Sequence, residues 1–170
     1  MFNRPRRFHP ATGLVLVAAA LVPGAVALAS TSHAGWPVVA RQDLQLNRTN
    51  ANRTLTAHPG VHNELLGGHG NDTLLGGDAG DVLWGDYNPG GQPTSQIDHI
   101  TAGAGNDFIY ASHGTNFIST GAGKDVVHAH FGRGRIQCGS AATIVYISHK
   151  SRPHYKLVGC KRISYKTLGF

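Results

Sequence analysis

Oxygen-bearing residues recur at every ninth position through the middle of this 170-residue chain. Segments 67–75 and 76–84 read GGHGNDTLL and GGDAGDVLW, and both follow the pattern Gly-Gly-x-Gly-x-Asp-x-apolar-x, except that Ala79 takes the fourth place of the second. The aspartate supplies a hard anionic oxygen, the ligand type that calcium prefers. Glycines permit tight turns that gather backbone carbonyl oxygens beside it. The pattern therefore predicts a calcium site made of carboxylate and carbonyl oxygens.

The nine-residue period continues in register over 58–146, interrupted by an insertion at 85–92. Its eighth place is always aliphatic, and the residues there are Leu65, Leu74, Leu83, Ile100, Ile109, Ile118, Val127, Ile136 and Val145. Its sixth place carries a carboxylate or amide until the C-terminal repeats, and reads Asn63, Asp72, Asp81, Asp98, Asp107, Asn116, Asp125, Gly134 and Thr143. A short strand with one inward side chain per repeat is typical of a parallel β-solenoid, so we predict an all-β fold.

The nonapeptide resembles the repeats-in-toxin (haemolysin-type) calcium-binding repeat. The resemblance implies a right-handed parallel β-roll, in which two repeats form one coil and calcium lies between turns on the same side. It implies strong carboxylate pairs two repeats apart, namely Asp72 with Asp98, Asp81 with Asp107, and Asp107 with Asp125. Weaker pairs, with an uncharged amide, are Asn63 with Asp81 and Asp98 with Asn116. Backbone carbonyls would complete the sites at positions such as Gly68, Gly70, Gly77, Gly103, Gly105, Gly121 and Gly123.

The competing interpretation is that these aspartates only form turns. Asp78 and Asp86 lie off the sixth place and are expected to be solvated, although Asp86 can contribute through the insertion. Facing carboxylates repel each other, and one aliphatic residue per repeat makes a thin core. We therefore expect the chain to become ordered only when calcium binds.

Residues 1–34 are predicted to be an export signal. Three arginines precede an apolar run over 14–28, which Pro23 and Gly24 interrupt and small residues follow. The alternative is a retained membrane anchor, for which the run is short. Removal of the signal leaves no expected membrane span, a secreted chain, and a net charge that falls from +6 to +3 with the three arginines. This small charge does not favour a nucleic-acid partner.

Two segments flank the repeats, and we predict an N-terminal segment or cap over 35–57 and a C-terminal cap over 147–170. Cys138 and Cys160 are the two cysteines of the chain. In an exported protein an even pair favours a disulfide over free thiols or metal ligation, and this bond would tie the cap to the last coil. The stretches IYASHG, AHFGRG and CKRISYKTLG also look like those of small secreted actinobacterial calcium-binding repeat proteins. That resemblance covers about 58–170 and implies no catalytic activity.

One outer face of the predicted roll is apolar and aromatic, with Trp84, Tyr110, His128 and Tyr146 at its ninth places. Such a face is expected to be covered by a terminal segment, to form an oligomer contact, or to bind a ligand such as a sugar ring. The C-terminal cap is strongly basic, and is either a solvated surface or a contact for an acidic cell-surface polymer or polysaccharide.

No catalytic constellation is recognised in the sequence. The histidines occupy different places of the repeat; His128 and His130 can share a strand face and bind a transition metal, but exposed histidines without a role are the simpler interpretation. The sequence therefore predicts a secreted calcium-binding β-roll that is structural or binds a surface or partner, without catalysis. The alternative is a small extracellular polysaccharide-active enzyme on a β-solenoid scaffold.

Overall fold

The computed structural model describes residues 42–88, 91 and 93–166. The export signal predicted over 1–34 lies outside these residues. The described strands are short, as expected for a chain that turns every few residues. They are β1 (Gln42–Leu46), β2 (Thr54–Thr56), β3 (His62–Leu66), β4 (Thr73–Leu75), β5 (Val82–Trp84), β6 (Ile97–Thr101), β7 (Phe108–Tyr110), β8 (Thr115–Ser119), β9 (Val126–Ala129), β10 (Arg133–Gln137), β11 (Ile144–Ile147), β12 (Tyr155–Val158) and β13 (Arg162–Ser164). A 3₁₀ turn at Arg152–His154 precedes β12.

The strands alternate between two parallel sheets. Odd-numbered strands form a seven-stranded sheet in the order β1-β3-β5-β7-β9-β11-β13, and even-numbered strands form a six-stranded sheet in the order β12-β10-β8-β6-β4-β2. Each strand therefore pairs with the strand one coil earlier, and two consecutive strands make one coil. The predicted parallel solenoid of nonapeptide repeats is confirmed.

The eighth-place aliphatic residues form the interior between the two sheets. In the seven-stranded sheet Leu83 lies opposite Ile109, and Ile109 lies opposite Val127. In the six-stranded sheet Ile100 lies in register with Ile118. All of these side chains are buried in a single cluster. Each contributes about 1.5–3 kcal/mol when it leaves water, so the core is a narrow stack that grows by two such residues per coil.

The strand ladders extend beyond 58–146 at both ends. β1 pairs with β3 and places Asp43 opposite Asn63 and Gln45 opposite Leu65. β2 pairs with β4, and at the other end β12 and β13 pair with β10 and β11. Where they are described, the segments predicted as caps therefore contribute strands to both sheets. The N-terminal coil escapes the periodic pattern because Gln45 stands where the repeats have an aliphatic residue.

Cys138 and Cys160 form a disulfide, as predicted. The bond joins the turn after β10 to the turn after β12, two neighbouring strands of the six-stranded sheet, and the Cys138 amide also donates to the carbonyl of Val158 at 2.9 Å. Cross-linking residues 22 apart removes roughly 3 kcal/mol of chain entropy from the unfolded state. The disulfide therefore secures the last coils. The described part of the chain contains no helix with the length and apolar character needed to cross a membrane.

Candidate metal sites

The sixth-place side chains form two buried columns, one along each line of turns. The first column lies at the N-terminal ends of strands of the seven-stranded sheet and consists of Asn63, Asp81, Asp107 and Asp125. The second column lies at the N-terminal ends of strands of the six-stranded sheet and consists of Asp72, Asp98 and Asn116. The fold thus brings each sixth-place residue beside the one two repeats along, because that spacing equals one coil.

Asp72 and Asp81 each accept hydrogen bonds from two backbone amides. Asp81 accepts the amide of Gly77 in its own turn at 2.7 Å and the amide of Asn63 from the preceding coil at 2.8 Å. Asp72 does the same with Gly68 at 2.7 Å and Arg53 at 2.8 Å. The sixth-place carboxylate therefore closes its own turn and fastens that turn to the next one.

The same amide links continue along both columns. Asp107 accepts the amide of Asp81 at 2.8 Å, and Asp125 accepts the amide of Asp107 at 3.2 Å. In the second column Asp98 accepts the amide of Asp72 at 3.0 Å. The turn-forming role that competes with metal binding is thus present in both columns.

Burial and neighbouring negative charges make the ionised form of these carboxylates unfavourable. Burial raises the pKa of Asp107 to about 8, and the charges of Asp125 and Asp81 raise it further. The Oδ2 atom of Asp107 is buried and has no hydrogen-bond partner. Burial likewise raises the pKa of Asp98 to about 6, against the lowering effect of the Ser112 hydroxyl. Stacked anions at this depth favour either protonation or a cation.

Glycine-rich turns bring backbone carbonyl oxygens close to the first column. Gly103 and Gly123 have positive φ angles of 97° and 124°, which other residues rarely adopt. A side chain at Gly103 would strike the carbonyl oxygen of Gly77, and one at Gly123 would strike that of Gly105. The remaining glycines predicted as carbonyl donors lie in the same kind of turn, and they are Gly68, Gly70, Gly77, Gly105 and Gly121. Of these, Gly68 and Gly77 donate their amides to the column carboxylates.

The available donors fit calcium. Within the described residues no group of three or more His, Cys, Asp or Glu side chains is placed to hold a metal by itself. A cation between coils must therefore combine the paired carboxylates with carbonyl, amide or hydroxyl oxygens. Such an oxygen-only set suits a hard cation such as calcium rather than zinc or copper, and the unpartnered Oδ2 of Asp107 is a ready ligand.

The structure corrects the expectation that Asp86 is solvated. Its side chain is 0% exposed. The Asp86 carboxylate pairs with His69 Nδ1 at 2.9 Å and accepts Gln96 Nε2 at 3.0 Å. Burial raises the pKa of Asp72 as it does that of Asp98, and the charge of Asp86 adds to both shifts. No periodic signal marks Asp86, because it lies in the insertion.

Uncharged groups terminate both columns at their C-terminal ends. Ser112 Oγ donates to Asp98 Oδ2 at 2.7 Å, and Asn116 Nδ2 donates to the hydroxyl of Tyr155 at 3.1 Å. In the first column Thr143 Oγ1 donates to Asp125 Oδ2 at 2.9 Å. Sequence reasoning missed these roles, although Thr143 stands at a sixth place and so offered a signal.

The four residues proposed for a ligand face form a single stack. Ring centroids lie 4.6 Å apart for Trp84 and Tyr110, 5.1 Å for Tyr110 and His128, and 5.2 Å for His128 and Tyr146. Tyr110 and His128 are 8% and 2% exposed, and burial lowers the pKa of His128 to about 4. Trp84 and Tyr146 keep partly exposed surface. The central part of this stack therefore acts as an apolar layer.

A parallel solenoid with buried oxygen columns between its coils defines a β-roll metal-binding protein. Residues 62–86 and 94–127 match the RTX calcium-binding nonapeptide repeat family in four copies. These residues are thus RTX calcium-binding repeats, and calcium is the ion that such repeats bind. Searches among curated proteins and among solved structures found no match to this chain.

Without calcium, the stability of the roll should fall as the pH rises from about 4 to about 8. Asp107 and Asp98 have higher pKa values in the folded chain than unfolded, so the folded chain binds more protons over that interval. The full chain in EDTA should show a stronger β-sheet circular dichroism signal near pH 5 than near pH 8.5.

Asp107→Asn should flatten this dependence, and Asp78→Asn should not, because Asp78 is exposed and its pKa is lowered by the Gly60 amide. An equal signal at both pH values would contradict the conclusion that ionisation of the column aspartates destabilises the folded chain.

Proposed function

We propose that this chain is a secreted β-roll whose folding is coupled to calcium binding, and that it is structural or binds a surface or partner without catalysis. The observation that carries the proposal is the stacking of buried carboxylates within RTX repeats, above all Asp107 between Asp81 and Asp125. Uncharged residues can make the same turn contacts in an ordinary solenoid, so a bound cation accounts best for the stacking of charged ones.

The ligand assignment follows the two columns. Asp81, Asp107 and Asp125 would hold calcium in the first column, with Asn63 at its end. Asp72 and Asp98 would hold it in the second column, with Asn116 at its end. Turn carbonyls would complete the shells, from Gly68, Gly70, Gly77, Gly103, Gly105, Gly121 and Gly123. A bound ion neutralises the carboxylates and links successive coils.

Coupled folding follows from the balance of opposing terms. Ordering the backbone of each turn residue costs roughly 1–2 kcal/mol, and the repeats offer one buried aliphatic side chain each. Repulsion within the columns adds to that cost. Because the columns exist only in the folded chain, calcium binding contributes directly to folding.

Calcium should convert the EDTA-treated full chain from a weakly ordered to a β-rich state, measured by far-UV circular dichroism near pH 8. Asp107→Ala should weaken calcium binding by at least about 10-fold in calorimetry, because even indirect partners of metal ligands are worth that much. Asp78→Ala is the matched control, since it removes an exposed aspartate outside both columns. A full β signal in EDTA that calcium does not change would contradict coupled folding.

Export is supported by the basic and apolar pattern of residues 1–34 and by the disulfide, which is typical of oxidising compartments. Expression in an exporting bacterial host should release a chain that lacks roughly this segment, as checked by mass spectrometry of the medium. Introducing two aspartates into the run at 14–28 should retain the protein inside the cell. Retention of the unaltered chain at full length in the cell would contradict export.

An anionic surface polymer is the proposed partner class. All acidic residues of the chain lie at or before Asp125, whereas the C-terminal segment carries Lys150, Arg152, Lys156, Lys161, Arg162 and Lys166. Once calcium neutralises the carboxylate columns, attraction at the C-terminal end is unopposed.

The calcium-loaded full chain should bind immobilised dextran sulfate at low salt and be released by added salt, because exposed charges are screened. Unmodified dextran is the matched control. Equal retention on both materials would contradict the anionic partner, and calcium-dependent release of sugar products from an acidic polysaccharide would favour the enzymatic alternative.

A further inference from the structure

The edge of the solenoid that carries the second column also carries a cavity, whose described lining contains no column side chain. Along this edge, connections run from the seven-stranded to the six-stranded sheet. Two of them are short, at 111–114 and 130–132, and they lie between the longer connections at 85–96 and 148–154. A cavity of about 620 Å³ lies here, with residues 113 and 130–133 as its floor and with Thr94 and residues of 148–154 as its walls. That volume lies within the range of small-molecule sites.

The cavity has a one-sided chemical character. Its described lining contains two cationic side chains, three imidazoles and three hydroxyls, and no carboxylate; these are Arg133, Lys150, His113, His130, His154, Thr94, Ser148 and Ser151. Arg133 and Lys150 are exposed to solvent within it. Nitrogen donors without an opposing acid favour an anionic ligand.

Hydrogen bonds fix the walls of the cavity to its floor. Ser148 Oγ and Ser151 Oγ both donate to the carbonyl oxygen of His130, at 3.0 and 2.6 Å. Arg133 Nη2 donates to the carbonyl oxygen of Thr94 at 3.1 Å and so spans from the floor to the other wall. The cavity is therefore preformed, which lowers the entropy lost when a ligand binds.

An aromatic ring stands beside these cations. Phe131 is 57% exposed, and its ring stacks on that of His113 with centroids 4.3 Å apart. The stack holds the phenyl ring in place while part of its surface meets water. An exposed flat ring beside fixed cations suits a ligand that joins an apolar ring face to a negative charge, as an acidic sugar does.

We propose that this cavity binds an anionic sugar residue, with its sulfate or carboxylate group beside Arg133 and Lys150 and its ring against Phe131. The inference rests on the proposed anionic polymer partner and gives that partner a defined site. The diffuse basic charge of the C-terminal segment then strengthens binding, and the cavity selects a charged ring.

The test is calorimetry of the calcium-loaded full chain with three disaccharides: one sulfated, one uronic and one neutral. The charged probes should bind at least about 10-fold more tightly than the neutral one, and the better of the two identifies the anionic group. The double variant Arg133→Gln, Lys150→Gln should lose about 10-fold or more in affinity, since a hydrogen bond to a charged group is worth at least that factor.

The matched control is the double variant Lys161→Gln, Lys166→Gln. It removes two exposed positive charges of the C-terminal segment that lie outside the cavity lining. It should change the affinity by less than about twofold. Phe131→Ala removes an exposed ring and should weaken binding about threefold. Unchanged circular dichroism spectra will show that each variant still folds.

The outcomes separate the two proposals. Equal losses in both double variants would overturn the cavity and leave a polymer attracted by diffuse charge. Equal binding of neutral and charged probes would overturn the anionic selectivity of the site. Failure of all three probes and of dextran sulfate to bind would overturn the polymer partner as well. None of these results affects the calcium titration, which reports on the carboxylate columns.

Discussion

The roll depends on a buried carboxylate that accepts two backbone amides, one from its own turn and one from the preceding coil. Asp72 and Asp81 both make this double contact. A single side chain therefore sets the shape of a turn and the register between coils. The same arrangement stacks negative charges on one another: burial raises the pKa of Asp107, and the charges of Asp125 and Asp81 raise it further. The interaction that builds the solenoid thus creates its demand for a cation.

The C-terminal coils continue the parallel strand pairing of the roll, but their sixth places carry no charged residue. Thr143 and Ser112 donate to the last carboxylates of their columns, and Tyr155 closes the second column through Asn116. The disulfide between Cys138 and Cys160 adds a covalent link at the same end. Neutral donors and a covalent link need no ion, so this end is suited to remain ordered when calcium is scarce. Ordered coils at one end would give the remaining repeats a template on which to fold, as in other repeat arrays.

Charge is divided along the chain in a way that matches the proposed roles. The acidic residues are mostly committed to the interior of the turns, where calcium would neutralise them. Most of the described basic residues after Asp125 are exposed, and two of them line the cavity with Phe131. Stability and recognition would then use opposite charges at different places. This separation would let the protein bind a cation and the proposed anionic partner at the same time.

The period of nine was sufficient to predict the parallel solenoid and the eighth-place core, and the resemblance to the RTX repeat added the pairing of sixth-place oxygens two repeats apart. Each of these features depends on residues within one repeat, namely the turn glycines, one aspartate and one aliphatic side chain. Because the repeat recurs, the same local structure recurs along the chain. The period could not reveal the N-terminal coil, because Gln45 stands where the repeats have an aliphatic residue. Only the pairing of Gln45 with Leu65 in the sheet shows that this strand occupies the place of a repeat. It could not predict the buried position of Asp86 either, because Asp86 lies in an insertion outside the repeats.

The sequence by itself determined the repeating part of this protein, because the signal there is local and periodic. Only the tertiary structure decided the contacts that terminate the columns and enclose the cavity. Asn116 and Tyr155 are 39 residues apart, as are Arg133 and Thr94, and they meet because coils of unequal connection length stack on each other. Each such contact occurs once in the chain, so no repeated sequence pattern could predict it.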